Sequence, residues 1–426
     1  MRFERSEANL VVTDIAKTTD KVLSWTYKQP IFLFLSSNQY SNSSYSNFDC
    51  LVAVGKTAEI ISDSFESLSR FREEHQDWMF GYFSYDLKND LENLSSENPD
   101  RLCFPNLHFF IPETVVMIRN NQLQVLSSEP NNILDEIISA VPILKTIQKL
   151  PEFQADMVKE HYIDSVKAIQ RHIIDGDVYE LNFCQEFHTQ VQELDTYSLF
   201  HQINQKSIAP FSAFYRSNEH FILCTSPERF LQKRGTKLIS QPIKGTRKRG
   251  DDEIIDNQLK NELRFDEKEI AENVMIVDLV RNDLARISKS GTTKVEELFK
   301  VHTFPALHHL ISTISSEIEP GTDPIACIRT AFPMGSMTGA PKIRAMELIE
   351  KYETVKRGVF SGALGYFTPE DDFDFNVIIR SLMYNAVNGT LSVQAGGAIT
   401  YDSDPEKEYQ ESLLKILGLT GLPINT

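Results

Sequence analysis

The sequence predicts a protein of mixed α/β (α+β) class, because strand-like and helix-like segments alternate along the chain. Residues 30–35 and residues 80–86 are rich in β-favouring side chains and predict strands. Between residues 162 and 174, apolar side chains recur at helical spacing. Gly176 follows, at the position where a helix commonly ends.

Length and composition restrict the class of protein further. The chain has 426 residues, enough for two or three domains or one large one, with 41% hydrophobic and 24% charged residues. Its formal net charge of −17 argues against a general nucleic-acid-binding surface. No apolar run approaches membrane-spanning length, the N-terminus lacks an apolar signal core, and the five cysteines lack paired spacing. We therefore expect a cytoplasmic protein that binds neither nucleic acid nor membrane.

The first half of the chain predicts more strands and a helix. Residues 106–111 and residues 114–118 are strand-like on either side of Pro112 and are expected to pair with each other. Residues 133–147 are helix-like, and residues 151–155 are expected to form a linker.

A reactive lysine is a candidate at the end of a later strand. Residues 238–243 favour a strand, Lys244 lies where it is expected to end in a tight turn, and the basic run 247–249 follows. A lone lysine in a basic loop is by itself more often a surface residue. Its importance therefore depends on residues elsewhere in the chain.

Two predicted helices each carry a pair of glutamates. The first covers residues 254–280 and places Glu269 and Glu272 on one face, among apolar neighbours. The second carries Glu408 and Glu411. A single such pair is usually a solvated helix face, but two pairs could converge on a divalent cation such as Mg²⁺, which prefers oxygen ligands.

The second helix has a clear start and a predicted buried side. It begins at Asp404-Pro405, a good N-cap followed by a good first helical residue. Tyr409, Leu413 and Leu417 fall on a stripe that is expected to face the core.

Two glycine-containing segments and two polar residues are weaker candidates. Residues 335–342 predict a loop that contacts an anion through backbone N–H groups, and residues 395–398 predict a turn that brings backbone close to a ligand. By default, His309 would be a structural histidine and Glu228 an exposed carboxylate paired with Arg229.

Taken together, these segments resemble the chorismate-utilising enzymes, a family that includes anthranilate, aminodeoxychorismate, isochorismate and salicylate synthases. The match is strong from about residue 157 onward and weaker before it. The matching segments, in family order, are residues 176–179, 226–230, 242–246, 266–286, 309–310, 332–346, 357–358, 362–366, 379–380 and 402–405.

The resemblance implies the fold. We expect an anthranilate synthase component I-like fold, with two stacked β-sheets, outer helices and the active site in a cleft between the sheets. Residues 1–150 would form the N-terminal region and residues 157–426 the chorismate-binding catalytic region, together as one structural unit.

Within the family, Lys244 favours the aminodeoxychorismate synthase component I branch, whose segment reads Pro-Ile-Lys-Gly-Thr. Anthranilate synthases normally have alanine in place of this lysine. The resemblance implies that Lys244 attacks C2 of chorismate, that the C4 hydroxyl leaves, and that ammonia enters at C4 and displaces the lysine. Such a lysine must be neutral, and we expect burial or the cations at 247–249 to lower its pKa. Glu180 lies near the position of a lysine in the branches that use water, which argues against water as the nucleophile.

The resemblance also implies a role for each site residue. Glu228 would be the general acid and His309 a further catalytic residue. The expected substrate-binding residues are Arg380, Lys415, Gly396, Gly397, Ser336 and Thr246. The expected Mg²⁺ ligands are Glu272 and Glu411, with Glu269 and Glu408 close or acting through water.

Three positions depart from the family pattern. Ser336 replaces a usual threonine, Phe360 a usual tyrosine and Ala398 a usual glycine. The threonine-to-serine change keeps the hydroxyl group, whereas the tyrosine-to-phenylalanine change loses one.

The implied partners are chorismate and a separate glutamine amidotransferase subunit that supplies ammonia. A separate lyase would convert the product to 4-aminobenzoate, a folate precursor. Two alternatives remain: anthranilate synthase component I, which Lys244 disfavours, and a catalytically silent regulator that binds chorismate or tryptophan. The full set of lysine, acid, histidine and four glutamates argues against the second.

Overall fold

The computed structural model describes residues 3–40, 47–305 and 307–422. Within these ranges the strands, in chain order, are β1 (Ser6–Val11), β2 (Ile31–Ser36), β3 (Cys50–Val54), β4 (Ala58–Ser62), β5 (Met79–Phe83), β6 (Leu107–Ile111), β7 (Thr114–Arg119), β8 (Gln122–Ser127), β9 (Gln154–Ala155), β10 (Glu180–Gln190), β11 (Phe211–Ser217), β12 (His220–Ser226), β13 (Arg229–Arg234), β14 (Lys237–Gln241), β15 (Ile243–Lys248), β16 (Lys294–Thr303), β17 (Leu307–Glu317), β18 (Gly339–Ala340), β19 (Ala363–Phe367), β20 (Phe373–Val377), β21 (Ser381–Asn385) and β22 (Thr390–Ile399). The α-helices are α1 (Ile15–Thr26), α2 (Phe65–Glu74), α3 (Pro130–Ser139), α4 (Lys159–Ile174), α5 (Thr196–Ser207), α6 (Glu253–Phe265), α7 (Glu267–Ala285), α8 (Pro324–Ala331), α9 (Lys342–Tyr352) and α10 (Pro405–Thr420). Two short 3-10 helices cover Tyr85–Asp90 and Gly335–Met337.

The described strands form two antiparallel sheets. The large sheet has 12 strands in the order β1-β8-β7-β3-β2-β11-β12-β21-β22-β10-β18, with β9 beside β10. The small sheet has 10 strands in the order β15-β17-β14-β13-β20-β19-β5-β6-β4, with β16 beside β17. Strands from the first 90 residues pair with strands from beyond residue 200 in both sheets, β2 with β11 and β5 with β19.

The main core lies between the two sheets, and a second core lies behind the large sheet. Strand β2 is apolar along its whole length because each of its two faces packs against a different core. Leu33 contributes to a cluster with residues of the small sheet such as Phe80, whereas Phe34 contributes to a cluster with helix residues such as Phe200. Strands covered on both sides read as continuous apolar runs, which confirms the mixed class and the stacked sheets expected from the sequence.

Residues 106–111 and 114–118 form strands, but the expectation that they pair with each other is wrong. Strand β6 pairs with β4 and β5 in the small sheet, whereas β7 pairs with β3 and β8 in the large sheet. The chain therefore crosses from one sheet to the other at Pro112. The two strands contribute to opposite sides of the core between the sheets.

The single helix predicted over residues 254–280 is two helices. Asp266 ends α6 and caps α7, and its carboxylate accepts a hydrogen bond from the backbone N–H of Glu269 at 3.1 Å. An N-cap residue has non-helical backbone angles, so the helix must break there. The helix predicted over residues 133–147 is also shorter and ends at Ser139.

Two turns predicted around the site are strand instead. Residues 395–398 lie within β22, where Gly396 pairs with Cys184 of β10. A Cβ at Gly396 would lie 1.8 Å from the carbonyl oxygen of Phe183, so glycine is required by the close approach of two strands. Lys244 likewise lies inside β15, which continues through the basic run as far as Lys248.

The start of α10 is as predicted, but its buried side differs by one position. Asp404 caps the helix by accepting hydrogen bonds from the N–H groups of Glu406 and Lys407. Tyr409 is buried, as expected, whereas Leu417 is exposed, and Ile416 faces the core in its place. A helical stripe drifts with the 3.6-residue period, so a spacing of four residues repeated twice moves off the buried face.

Candidate active site

Lys244 is positioned by a bulge in β15. The register between β15 and β17 shifts between Ile243 and Thr246, where Gly245 adopts a φ of +93°. A Cβ at Gly245 would lie 3.1 Å from the Glu269 carboxylate, so the bulge favours glycine. Asn273 of α7 donates a hydrogen bond to the carbonyl of Lys244 at 3.4 Å, which ties the lysine to the helix that carries the glutamates.

The Lys244 ammonium lies where the two sheets meet, among carboxylates. Its Nζ is 3.7 Å from Glu180 Oε1 of the large sheet and 4.0 Å from Glu272 Oε2 of α7. Burial acts to lower the pKa of Lys244, but the carboxylates of Glu180, Glu272, Glu228 and Glu269 together raise it above its ordinary value. The lysine is therefore charged in the ligand-free protein.

The expectation that the basic run lowers the pKa of Lys244 is wrong. Arg247 lies 2.7 Å from Asp266 and 3.4 Å from Glu269, and Arg249 pairs with Asp256 at 2.7 Å. These arginines neutralise neighbouring acids and do not raise the positive potential at the lysine.

Glu228 is a buried acid, which contradicts the default expectation of an exposed carboxylate paired with Arg229. Arg229 pairs instead with Asp374 at 2.9 Å. The Ser336 hydroxyl donates a hydrogen bond to Glu228 Oε1 at 2.6 Å, and the backbone N–H of Val377 donates to the Glu228 carbonyl. Burial raises the pKa of Glu228 to about 7, so a proton is available on this carboxyl near neutral pH.

The raised pKa of Glu228 gives a testable effect on stability. A group with a raised folded-state pKa stabilises the fold below its unfolded pKa and loses that contribution as the pH rises through the folded value. Glu228→Gln does not titrate, so its free energy of unfolding should gain about 3 kcal/mol relative to the parent protein between pH 4.5 and 8, the range spanned by the shift.

Denaturant unfolding at a series of pH values measures this difference. Glu370→Gln, a change at an exposed glutamate, is the control and should leave the pH dependence unchanged. A Glu228→Gln difference that stays constant from pH 4.5 to pH 8 would show that the carboxyl is ionised in the folded protein.

His309 and Thr246 form a pair on adjacent strands beside Lys244. Thr246 Oγ1 and His309 Nδ1 are 3.0 Å apart, and the two residues are register partners in β15 and β17. Burial lowers the pKa of His309 to about 3, with a further contribution from the charge of Arg380. The imidazole is therefore neutral at physiological pH and suits hydrogen bonding to a substrate rather than donation from an imidazolium.

The backbone of Arg380 adopts a left-handed conformation, which is uncommon for a residue other than glycine. Its φ is +52°, in the left-handed region, and its carbonyl accepts hydrogen bonds from the N–H and hydroxyl of Thr225. Burial lowers the pKa of Arg380 although nearby Glu411 opposes this effect. Among the described residues, the guanidinium has no hydrogen bond or ion pair with a protein group, so it is available for a carboxylate ligand.

The four glutamates of α7 and α10 face each other across the site. Lys268 Nζ lies 3.7 Å from Glu272 Oε1 and 3.7 Å from Glu408 Oε1, so one cation already bridges the two helices. Burial and the nearby Glu272 raise the pKa of Glu269, and burial raises the pKa of Glu408 despite a hydrogen bond from Ser403. Burial also acts to raise the pKa of Glu411, but the nearby cations Lys415 and Lys268 lower it below its ordinary value.

The donor set fits a hard divalent cation. All four side chains offer oxygen, and within the described ranges no three of them bring carboxylate oxygens within 4.8 Å of one another. Mg²⁺ often keeps several water or substrate oxygens and takes only one or two carboxylates, so a site of three converging carboxylates is not required. Glu272 and Glu411 remain the predicted ligands, with Glu269 and Glu408 close by.

Gly397 and Lys415 lie beside the two glutamates of α10. Lys415 Nζ donates a hydrogen bond to the Gly396 carbonyl at 2.6 Å and lies 2.7 Å from Glu411 Oε1. A Cβ at Gly397 would lie 3.0 Å from Glu408 Oε2 and 3.8 Å from Lys415 Nζ. Glycine here keeps open the space that the glutamates and the lysine face.

The predicted site residues lie around Lys244 and the glutamates of α7 and α10, and several of them contact one another. Ser336 and Thr246 contact Glu228 and His309, so they orient those groups. The sequence did not predict that Asn273 would contact the Lys244 backbone or that Lys268 would bridge Glu272 and Glu408. For Glu180, the sequence indicated only that a lysine is missing there, and not the contact with Lys244. The adjacency of Asn273 to Glu272 in the sequence was the one available signal.

Comparison with known proteins identifies the family. The family model described as chorismate binding enzyme matches residues 25–420. The chain belongs to the chorismate-binding enzymes. This membership confirms the resemblance inferred from the sequence motifs and establishes that the chain is an enzyme of that family.

Curated relatives of the chain include two kinds of synthase. It is 36% identical over 344 residues to aminodeoxychorismate synthase component 1 of Escherichia coli (strain K12), covering 79% of this chain and 74% of the relative. It is 30% identical over 363 residues to aminodeoxychorismate synthase component 1 of Bacillus subtilis (strain 168), covering 81% and 77%. It is also 33% identical over 344 residues to anthranilate synthase component 1 of Thermus thermophilus, covering 78% and 74%.

Solved structures share the fold. Anthranilate synthase component I from Streptococcus pneumoniae superposes with a TM-score of 0.79 at 25% identity, covering 90% of this chain and 94% of that one. The isochorismate synthase MenF from Escherichia coli superposes with a TM-score of 0.78 at 18% identity, covering 98% and 93%, and supports the fold alone. None of the described helices is both long enough and apolar enough to cross a membrane.

Proposed function

We propose that this enzyme is component 1 of an aminodeoxychorismate synthase, which converts chorismate and ammonia into 4-amino-4-deoxychorismate. The observation that carries the proposal is Lys244 in its Pro-Ile-Lys-Gly-Thr segment, with a side chain only 11% exposed and close to carboxylates of both the large sheet and α7. The curated relatives named aminodeoxychorismate synthase component 1 support the same assignment.

In the first half of the reaction, the Lys244 nitrogen forms a bond to C2 of chorismate. The ring double bonds shift and the C4 hydroxyl leaves with its electron pair. Glu228, whose pKa of about 7 leaves a proton on it near neutrality, donates that proton to the leaving oxygen, and water departs. Lys244 must first give a proton to one of the neighbouring carboxylates, such as Glu180, because these carboxylates hold its pKa up.

Cationic and polar groups around Lys244 hold the substrate. Chorismate carries two carboxylates, and Arg380 and Lys415 each offer a positive charge. His309, neutral and braced by Thr246, offers a hydrogen bond. When bound to the glutamates of α7 and α10, Mg²⁺ would supply positive charge that neutralises the ring carboxylate.

In the second half, ammonia enters at C4 and the lysine leaves from C2. The naming of the relatives as component 1 supports a second subunit, and we propose that it is a glutamine amidotransferase that releases ammonia from glutamine. Ammonium salts should therefore replace the partner when this chain is assayed by itself.

Product identification tests the proposed function. Purified protein incubated with chorismate, Mg²⁺ and ammonium chloride is expected to form 4-amino-4-deoxychorismate, identified by chromatography and mass spectrometry. Addition of a 4-amino-4-deoxychorismate lyase should then yield 4-aminobenzoate. Accumulation of anthranilate or isochorismate would contradict the proposal, and an absence of turnover would favour a regulatory protein.

A further inference from the structure

One lysine lies between the glutamates of α7 and those of α10. Lys268, in the first turn of α7, has its Nζ 3.7 Å from Glu272 Oε1 of its own helix and 3.7 Å from Glu408 Oε1 of the other. Both distances exceed that of a hydrogen bond, so charge alone holds the ammonium group in this place. Lys268 therefore joins two helices whose facing side chains carry like charges.

The other cations that contact these glutamates are more firmly held. Lys415 donates a hydrogen bond to a backbone carbonyl, and Arg247 also pairs with Asp266 at 2.7 Å. The Lys244 side chain is only 11% exposed, whereas that of Lys268 is 54% exposed. Among these cations, Lys268 is therefore the one that can most easily move from the glutamates into solvent.

A Mg²⁺ ion bound by these glutamates would compete with Lys268 for their negative charge. Mg²⁺ binds carboxylate oxygens at about 2.1 Å. Glu272 is a predicted ligand, Glu408 lies close by, and an oxygen of each faces Lys268. A metal on these carboxylates and an ammonium group in its present place would repel each other in a partly buried site, so the exposed lysine must move away.

We propose, on the basis of the metal site in the function proposed above, that Lys268 is the counter-ion of the metal-binding glutamates in the metal-free enzyme and that Mg²⁺ displaces it into solvent. Before the metal binds, Lys268 reduces the repulsion between the glutamates of α7 and α10. It also lowers the affinity for Mg²⁺, because the metal must replace an existing ion pair.

Calorimetric titration of magnesium chloride into the protein without chorismate tests this role independently of turnover. In Lys268→Gln, the dissociation constant for Mg²⁺ is expected to fall at least about fivefold, because the metal no longer displaces a cation. In the presence of a chelator, Lys268→Gln should melt at a lower temperature than the parent protein, since the glutamates have lost a counter-charge. Added Mg²⁺ should then raise its melting temperature by more than it raises that of the parent.

Lys407→Gln is the matched control. Lys407 is an exposed lysine next to Glu408 in the sequence, so its loss changes the net charge of the protein by the same amount. The dissociation constant of this variant for Mg²⁺ should stay within about twofold of the parent value. A second variant, Lys268→Arg, keeps the positive charge and should bind Mg²⁺ no more tightly than the parent protein.

The outcomes distinguish this proposal from the proposed function. An unchanged or higher dissociation constant in Lys268→Gln would overturn the role of Lys268, and so would an equal gain of affinity in Lys407→Gln. Absence of Mg²⁺ binding in the parent protein and in Lys268→Gln would also overturn it. The proposed function is decided separately, by the product that the parent protein forms from chorismate and ammonium.

Discussion

Lys244→Ala is expected to lower the rate of 4-amino-4-deoxychorismate formation by at least about a hundredfold, because the covalent route through the lysine is lost. Chorismate binding should largely persist, since Arg380, Lys415 and His309 do not depend on the Lys244 side chain for their positions. Turnover assays with ammonium chloride and equilibrium binding of chorismate measure the two effects separately.

Lys248→Ala is the matched control for this prediction. Lys248 lies at the exposed end of the same strand, so its loss should leave turnover near the parent value. A Lys244→Ala variant with a near-normal rate would reduce the lysine to an electrostatic contact. Loss of chorismate binding in that variant would show instead that the lysine acts mainly by holding the substrate.

Glu272→Gln and Glu411→Gln are each expected to lower Mg²⁺-dependent turnover at limiting Mg²⁺ by at least about tenfold, because each removes one negative ligand. Glu272 and Glu411 come from different helices, so each variant leaves one predicted ligand in place. Activity measured as a function of Mg²⁺ concentration should show a higher concentration for half-maximal turnover. Treatment of the parent protein with a chelator should abolish turnover, and added Mg²⁺ should restore it.

Glu267→Gln tests whether the effect depends on position. Glu267 is an exposed glutamate in the first turn of α7, five residues from Glu272. Its Mg²⁺ dependence should match that of the parent protein. Full activity of both ligand variants at low Mg²⁺ would contradict the assignment of the metal site.

Local sequence signals predicted individual elements of the fold better than their pairing. The helix ending at Gly176 and the capped start of α10 depend on residues close together in the sequence, and both were predicted. The separation of β6 and β7 into different sheets depends on partners far along the chain. The pattern around Pro112 is the same for a hairpin and for a crossover, so only tertiary structure decides between them.

In the site, the residue types were likewise easier to predict than the charges around them. The residue types at Lys244, Glu228 and the four glutamates could be recognised in the sequence. The charge environment of Lys244 could not, because Glu180 lies 64 residues before it and reaches it only where the two sheets meet. The neighbouring arginines 247 and 249 are close in sequence, yet their partners are acids of α6 and α7. A strand directs successive side chains to opposite faces, so adjacency in sequence does not predict contact.

Trapping the covalent intermediate tests the role of Lys244 most directly. Parent protein is mixed with chorismate and Mg²⁺ without ammonium, denatured, digested and analysed by mass spectrometry. The expected result is a peptide containing Lys244 whose mass is increased by that of chorismate less one water, and which is absent from Lys244→Ala. Formation of 4-amino-4-deoxychorismate on addition of ammonium, with no adduct on Lys244 at any time before it, would contradict a nucleophilic lysine.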